Sequence, residues 1–404
     1  MRNSAERSEL NCAKCGACAV VCPVFRVDGR EAMTARGRMH LLTMDFSRRP
    51  SAVFENLFSH CLLCGACEQV CPRQLPITDI VSKARSRFSL FYGPNGLIKA
   101  AACTVLSQPA LMEALVKAGI SLRRIRSLPD LSGLRLKLGL LEDKSSPWPM
   151  REGGGEKHLF SQDISYFTGC FAGYLQPSIA LATHDLLDRC DLTAYTPTDQ
   201  HCCGLAAWSA GGREQARELA RKNIQAFSAV SGPIITSCAS CSSHLLSYPA
   251  LFSNNDSWHQ RAQDFADRVQ EFTAFFGKRL SGPTRPATPL QRIFYHDPCH
   301  LRFQTDGMTS PRSLLSGKGF QLLEPQGGPS CCGQGGLFHL ACPAHSDRIF
   351  KKSCDKALAE RPDCITSTCS GCLMQYQVGL ARQKQDVKVV HMANLLIHFF
   401  RNSE

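Results

Sequence analysis

Two runs of cysteine carry the strongest chemistry in the chain. Cys12, Cys15, Cys18 and Cys22-Pro23 form one, and Cys61, Cys64, Cys67 and Cys71-Pro72 the other. Each reads C-x2-C-x2-C-x3-C-P, the spacing with which three cysteines wrap a cubane 4Fe-4S cluster while the fourth crosses to a second cluster. Cys12, Cys15, Cys18 and Cys71 are therefore expected on one cluster, and Cys61, Cys64, Cys67 and Cys22 on the other. Gly16 and Gly65 relieve crowding where the loop folds around the metal. Zinc, which takes four ligands in a closed tetrahedron, does not need two such runs.

A second constellation occurs twice. Cys170, Cys202, Cys203, Cys238 and Cys241 give C-x31-C-C-G-x33-C-x2-C, and Cys299, Cys331, Cys332, Cys369 and Cys372 give C-x31-C-C-G-x35-C-x2-C. Gly204 and Gly333 follow the doublets. The offset between copies is 129 positions for the first three cysteines and 131 for the last pair, so a duplicated module with a two-residue insertion is expected. Five thiolates exceed the needs of a tetrahedral ion or a simple cubane, and adjacent cysteines reach different irons of an extended cluster more readily than one small ion. Each copy is read as a metal site, with zinc or a redox-active dithiol as the alternatives.

These sites need elements to place them. Short β-prone runs end just before cysteines: Ile164 to Thr168, Ile234 to Thr236, Ile293 to Tyr295, and Ile365 with Thr366. Helix-patterned segments intervene, notably Arg213 to Phe227 and Ser346 to Ala359. Alternating strands and helices predict a parallel sheet with ligands at the carboxyl ends of its strands. The expected fold is α/β overall: a helical ferredoxin-like region over residues 1–90, a helical connector and linker over 91–160, and duplicated α/β domains over 161–285 and 286–404. Pro147 to Gly155 and Ser281 to Pro289 are the turn-rich boundaries.

The remaining cysteines, Cys103, Cys190, Cys342, Cys354 and Cys364, lie outside any repeated spacing and are expected to be small buried hydrophobes. His201, His296 and His300 adjoin cluster cysteines; they either tune a potential by hydrogen bonding to sulfur or merely satisfy local structure. Leu115 to Leu141 mixes Leu and Ile with Arg123, Arg124, Arg126, Arg135 and Lys137. That pattern suits an anionic lipid surface, a partner, or a solvated face on the protein's own core.

Composition excludes several classes. The chain has 404 residues, 44% hydrophobic and 20% charged, with 23 cysteines, which is the profile of a globular protein. No apolar signal stretch follows the polar N-terminus and no window matches a membrane span, so a cytoplasmic protein is expected, with any membrane contact peripheral on the inner face. In a reducing compartment metal binding explains the cysteines better than disulfides. The formal charge of +12 counts cysteines as neutral, and two oxidised clusters would lower it to roughly +8. No nucleic-acid-binding motif accompanies the excess, so no nucleic-acid partner is expected. There is no G-x-G-x-x-G between a strand and a helix, no G-x-x-x-x-G-K-[ST] and no H-E-x-x-H; the Gly333-Gln334-Gly335-Gly336 run is better read as cluster packing. Substrate chemistry therefore belongs on another polypeptide, and a flavoprotein, which takes a hydride and releases single electrons, is the natural partner.

These motifs, with Ala35-Arg36-Gly37-Arg38 and Tyr295-His296-Asp297-Pro298-Cys299-His300-Leu301, resemble the iron-sulfur subunits of glycolate oxidase and related D-lactate dehydrogenases. The resemblance covers nearly the whole chain. It implies a twin-cubane region joined to two CCG domains holding one or two further clusters, FAD only on a dehydrogenase partner, and electron delivery toward a membrane quinone or another redox protein. Heterodisulfide reductase subunits share the architecture, and there paired CCG motifs hold non-cubane 4Fe-4S clusters; a disulfide- or quinone-reducing site is the alternative that this implies.

Overall fold

A computed structural model describes residues 11–43, 51–88, 91–123, 138–142, 164–280, 291–303, 309–316 and 318–402. Both expected linkers, Pro147 to Gly155 and Ser281 to Pro289, lie outside them, as do Arg124, Arg126, Arg135 and Lys137.

The cysteine-rich half of the chain contains two four-stranded parallel sheets. The first comprises β1 (Ile164–Phe167), β2 (Ala194–Tyr195), β3 (Ile234–Thr236) and β4 (Val269–Glu271) in the order β2-β1-β3-β4. The second repeats that order with β5 (Gln291–Tyr295), β6 (Phe320–Leu323), β7 (Cys364–Ser367) and β8 (Lys388–His391), as β6-β5-β7-β8. β1, β3 and β7 are buried along their full length, which is why they read as continuous β-branched and aromatic runs with little alternation. In each sheet the order reverses between the two central strands, and a cysteine follows the carboxyl end of each: Cys170 and Cys238 in the first, Cys299 and Cys369 in the second. That crevice is where open α/β sheets hold ligands.

The chain divides into two compact units. The larger comprises Val105–Leu205, Glu214–Ser330 and Cys354–Glu404, and holds both sheets. Its modules share one apolar core, in which Ile164 and Ile235 of the first sheet and Ile293 and Tyr295 of the second meet Phe272, Phe275, Phe276, Met392 and Leu396. Across the same seam the Ala239 N–H donates to the Thr368 carbonyl at 2.8 Å, and His391 Nε2 lies 2.7 Å from the Ser237 carbonyl.

The smaller unit comprises Met1–Thr104, Ala206–Arg213 and Cys331–Ser353. This grouping differs from the linear division expected from sequence: the 91–160 connector is split after Thr104, and two segments at or just after the cysteine doublets group with the first hundred residues. Polar contacts account for it. Ser82 Oγ donates to the Trp208 carbonyl at 2.9 Å and Arg213 pairs with Asp79 at 2.7 Å; His345 meets Asp28 at 2.8 Å, and Lys352 donates to the Arg26 carbonyl at 2.9 Å. Apolar packing of Met39, Phe54, Phe58, Ile80 and Val81 underlies the two cysteine runs.

Cys103, Cys342, Cys354 and Cys364 are buried as expected, but Cys190 is only half-buried, because it lies at the edge of the shared core just past the helix Ser178–Asp188. Truncating Leu396, fully buried in that core, to Ala should cost about 2–5 kcal/mol in chemical denaturation, with both modules unfolding in one transition.

Candidate functional site

In the smaller unit the two cysteine runs adopt the same backbone path. The residue before the second cysteine of each is left-handed, Lys14 at φ 56° and Leu63 at φ 53°, and so is the glycine after it, Gly16 at φ 82° and Gly65 at φ 78°. In the first run the Lys14 N–H lies 3.4 Å from Cys12 Sγ, and the Arg36 N–H, at the start of the helix Ala35–Thr43, lies 3.3 Å from Cys18 Sγ. Cys12, Cys15, Cys18 and Cys71 line a common small open cavity, which Cys67 also borders. Cys22, by contrast, lies in the field of Cys61, and burial pushes its thiol up. Burial likewise pushes up Cys67, with Cys61 and Cys64 as the next contributors.

In the larger unit a continuous succession of thiols runs through the first module and into the second. Side-chain hydrogen bonds link Cys170 to Cys202, Cys202 to Cys203, Cys203 to Cys241, Cys241 to Cys238, Cys238 to Cys369, and Cys369 to Cys372. Cys202 and Cys238 each receive two such bonds and are held well below the usual thiol range. Their neighbours Cys170, Cys203, Cys241 and Cys369 are pushed up, first by their bonds within the succession and then by burial. Burial and shared protons thus keep most of these sulfurs protonated. Metal ions, bonded to sulfur in place of the protons, let every member become a thiolate, and this donor set fits iron and sulfide.

The backbone is adapted to these sulfurs. A Cβ on Gly169 (φ +72°) would approach Cys241 Sγ to 3.3 Å. Gly204 and Gly333, each after a doublet, are left-handed at φ +94° and +82°. The doublet Cys202-Cys203 is clamped from behind: the His201 N–H donates to Asn223 Oδ1 at 2.8 Å, Asn223 Nδ2 donates to the Cys202 carbonyl at 3.1 Å, and the Tyr248 hydroxyl donates to the Cys203 carbonyl at 2.9 Å. Of the second module's cysteines, Cys299, Cys369 and Cys372 belong to the larger unit and Cys331 and Cys332 to the smaller, where the Gly333 N–H lies 3.3 Å from Cys331 Sγ.

The flagged histidines separate. His300 Nδ1 lies 2.8 Å from Ser240 Oγ, which is 3.1 Å from Cys369 Sγ, so it is linked to a thiol through one hydroxyl. His201 turns its Nδ1 to the Asp199 carbonyl at 2.7 Å, a local contact. His296 is buried and pushed down to about 4 by that burial; its Nδ1 lies 3.3 Å from the Tyr376 hydroxyl, while Nε2 has no hydrogen-bond partner among the described residues. His244, not singled out from sequence, is also pushed down to about 4 by burial, and Cys202 is the thiol acting on it. Its signal was present as C-x2-C-x2-H over Cys238, Cys241 and His244.

Residues 9–75 match the 4Fe-4S dicluster domain, and residues 164–246 and 293–377 match the cysteine-rich domain called CCG. The chain is an iron-sulfur protein of this dicluster and CCG type. It is 28% identical, over 96% of its length and 93% of the relative's, to the probable glycolate oxidase iron-sulfur subunit of Bacillus subtilis (strain 168). It is 29% identical to lactate utilization protein A of Shouchella clausii (strain KSM-K16), over 58% of this chain and 98% of that protein. The same identity and coverage hold for lactate utilization protein A of Bacillus subtilis (strain 168). Among the described residues no helix is long and apolar enough to cross a membrane.

Replacing Asn223 by Ala strips the clamp from the doublet and leaves the buried Tyr248 hydroxyl short of a partner. Stability should fall by about 1–3 kcal/mol, and Cys202 and Cys203 of metal-free protein should be alkylated faster, as read by mass spectrometry.

Proposed function

We propose that the chain is the electron-transfer subunit of an FAD-dependent 2-hydroxyacid dehydrogenase, with glycolate or D-lactate as substrate of the flavoprotein partner and a quinone or another redox protein as acceptor. The observation that carries this reading is the thiol inventory: a cavity shared by Cys12, Cys15, Cys18 and Cys71, a second set around Cys22 and Cys61, and the succession from Cys170 to Cys372. When bound, iron-sulfur clusters supply one-electron transfer, which complements the two-electron chemistry of a flavin. The names of the relatives fit this role, and the chain carries no flavin or nicotinamide fingerprint of its own.

The residues divide the work accordingly. Cys12, Cys15, Cys18 and Cys71 would hold one cubane, and Cys22, Cys61, Cys64 and Cys67 the other, with backbone N–H groups such as that of Arg36 donating to sulfur. Cys170, Cys202, Cys203, Cys238 and Cys241 would hold the first CCG-domain cluster, and Cys299, Cys331, Cys332, Cys369 and Cys372 the second. The bond between Cys238 and Cys369 brings ligands of the two modules into direct contact. The protein would work in the cytoplasm, reaching a membrane acceptor from its inner face.

One observation favours a second reading, in which a CCG site itself reduces a disulfide or quinone. A small recess, lined by Leu106, Met112, Tyr174, Gln200 and His201, borders Cys170 and Cys202. The two readings part on a single comparison. Anaerobic protein copurified with its FAD-bearing partner should lose its visible cluster absorbance on addition of glycolate or D-lactate, and the chain alone should be inert toward disulfides. Rapid disulfide turnover by the chain alone would reverse the order.

Ligand crossing has its own test. Cys71→Ser should perturb the same paramagnetic signal as Cys12→Ser, with loss of up to about four iron atoms, and Cys22→Ser the same signal as Cys64→Ser. A Cys71→Ser spectrum matching Cys64→Ser would contradict the crossing.

A further inference from the structure

A buried cation ordinarily has a carboxylate beside it, because an unpaired charge in a low-dielectric interior is strongly disfavoured. Two arginines beside the second cysteine run depart from this. Arg85, at the end of the helix Ile77–Arg85, is 6% exposed. Its guanidinium donates to backbone carbonyls: Nε and Nη2 to Phe58 at 3.1 and 2.7 Å, Nη2 to Ser59 at 3.2 Å and to Cys61 at 2.6 Å, and Nη1 to Ser209. Arg38 is 2% exposed and donates to the Leu57 carbonyl at 3.1 Å and to the Met33 carbonyl. That second carbonyl also accepts from the Cys22 thiol at 3.7 Å.

Among the described residues of this unit, the ion-paired carboxylates have other partners. Asp79 pairs with Lys83 and Arg213, Asp28 with Arg30 and His345, and Glu31 with Arg36. Glu68 accepts from the Thr78 N–H at 2.5 Å and acts on Cys67, and Glu55 acts on Lys99 and Tyr92. Among the described residues no ion pair joins a carboxylate to Arg85 or Arg38. The cations at the first run differ: Lys14 and Arg73 are exposed, and Arg36 is part-exposed and ion-paired. Solvent screens those charges, whereas a charge in the interior acts at several times the strength.

We propose that Arg85, seconded by Arg38, sets the reduction potential of the site formed by Cys22, Cys61, Cys64 and Cys67, where the anionic cluster is the missing counter-charge. This rests on reading those cysteines as cluster ligands. Reduction adds one electron and one negative charge to the site, with no bond formed or broken; a fixed cation nearby favours the reduced state and raises the potential. Arg85 is a positioning and potential-setting residue, in that its carbonyl bonds fix the turn carrying Cys61 while its charge biases the electron.

The test is a mediated redox titration of anaerobic holoprotein, followed by electron paramagnetic resonance, in wild type, Arg85→Met and Arg85→Lys. Neither substitute reproduces the guanidinium's carbonyl contacts, so structural effects are shared and the difference reports charge. Arg85→Met should move one cluster signal to lower potential and leave the other in place, and Arg85→Lys should stay nearer to wild type. Equal shifts in both variants, or none in Arg85→Met, would overturn the proposal. Should Arg85→Met lose iron, the Arg38→Met and Arg38→Lys pair makes the same comparison from the Cys22 side, with the same expected and contrary results. Absence of any cluster signal from wild type would instead refute the cluster reading on which the proposal rests.

Discussion

Crowded, buried sulfur is the constraint on which this protein depends. Thiols placed within hydrogen-bonding reach of one another can share protons, but burial and mutual repulsion prevent them from ionising together. From Cys170 to Cys369 most of the thiols are pushed up, and only Cys202 and Cys238 are held down by the hydrogen bonds they receive. A metal that accepts several thiolates at once removes the conflict. The succession also crosses from the first module to the second, at the hydrogen bond between Cys238 and Cys369.

The surrounding architecture serves that placement. Parallel strands deliver cysteines from their carboxyl ends to one crevice in each sheet, and the identical orders β2-β1-β3-β4 and β6-β5-β7-β8 make the two crevices copies of one design. Asn223 and Tyr248 grip the carbonyls of the doublet and hold its side chains outward by satisfying the backbone behind them. In the smaller unit the same purpose is met without strands. Paired left-handed residues at Lys14 and Gly16, and at Leu63 and Gly65, turn the chain tightly, and in the first run the three closely spaced cysteines line one cavity.

Much of this was legible in the sequence because it is encoded by spacing. The cysteine runs, the offsets of 129 and 131, and the β-prone stretches before Cys170, Cys238, Cys299 and Cys369 all correspond to observed elements. What could not be read is what depends on the meeting of distant segments. Asn223 lies in the middle of an ordinary amphipathic helix, and only the fold brings it beneath Cys202. Arg85 looks like the basic end of a helix, a common surface arrangement, until its guanidinium is seen buried among carbonyls. The grouping of Ala206–Arg213 and Cys331–Ser353 with the first hundred residues rests on contacts such as Asp28 with His345, which no local pattern announces. Cys190 escapes full burial because its position at the edge of a shared core is a property of packing and not of residue type.

Chemical analysis of the metal bears most directly on the central claim. Anaerobically purified chain should contain at least about eight iron atoms and a similar amount of acid-labile sulfide, and should give cluster signals by electron paramagnetic resonance after reduction. Protein that is folded yet nearly free of iron and sulfide, or that carries zinc in their place, would contradict the assignment of these thiols.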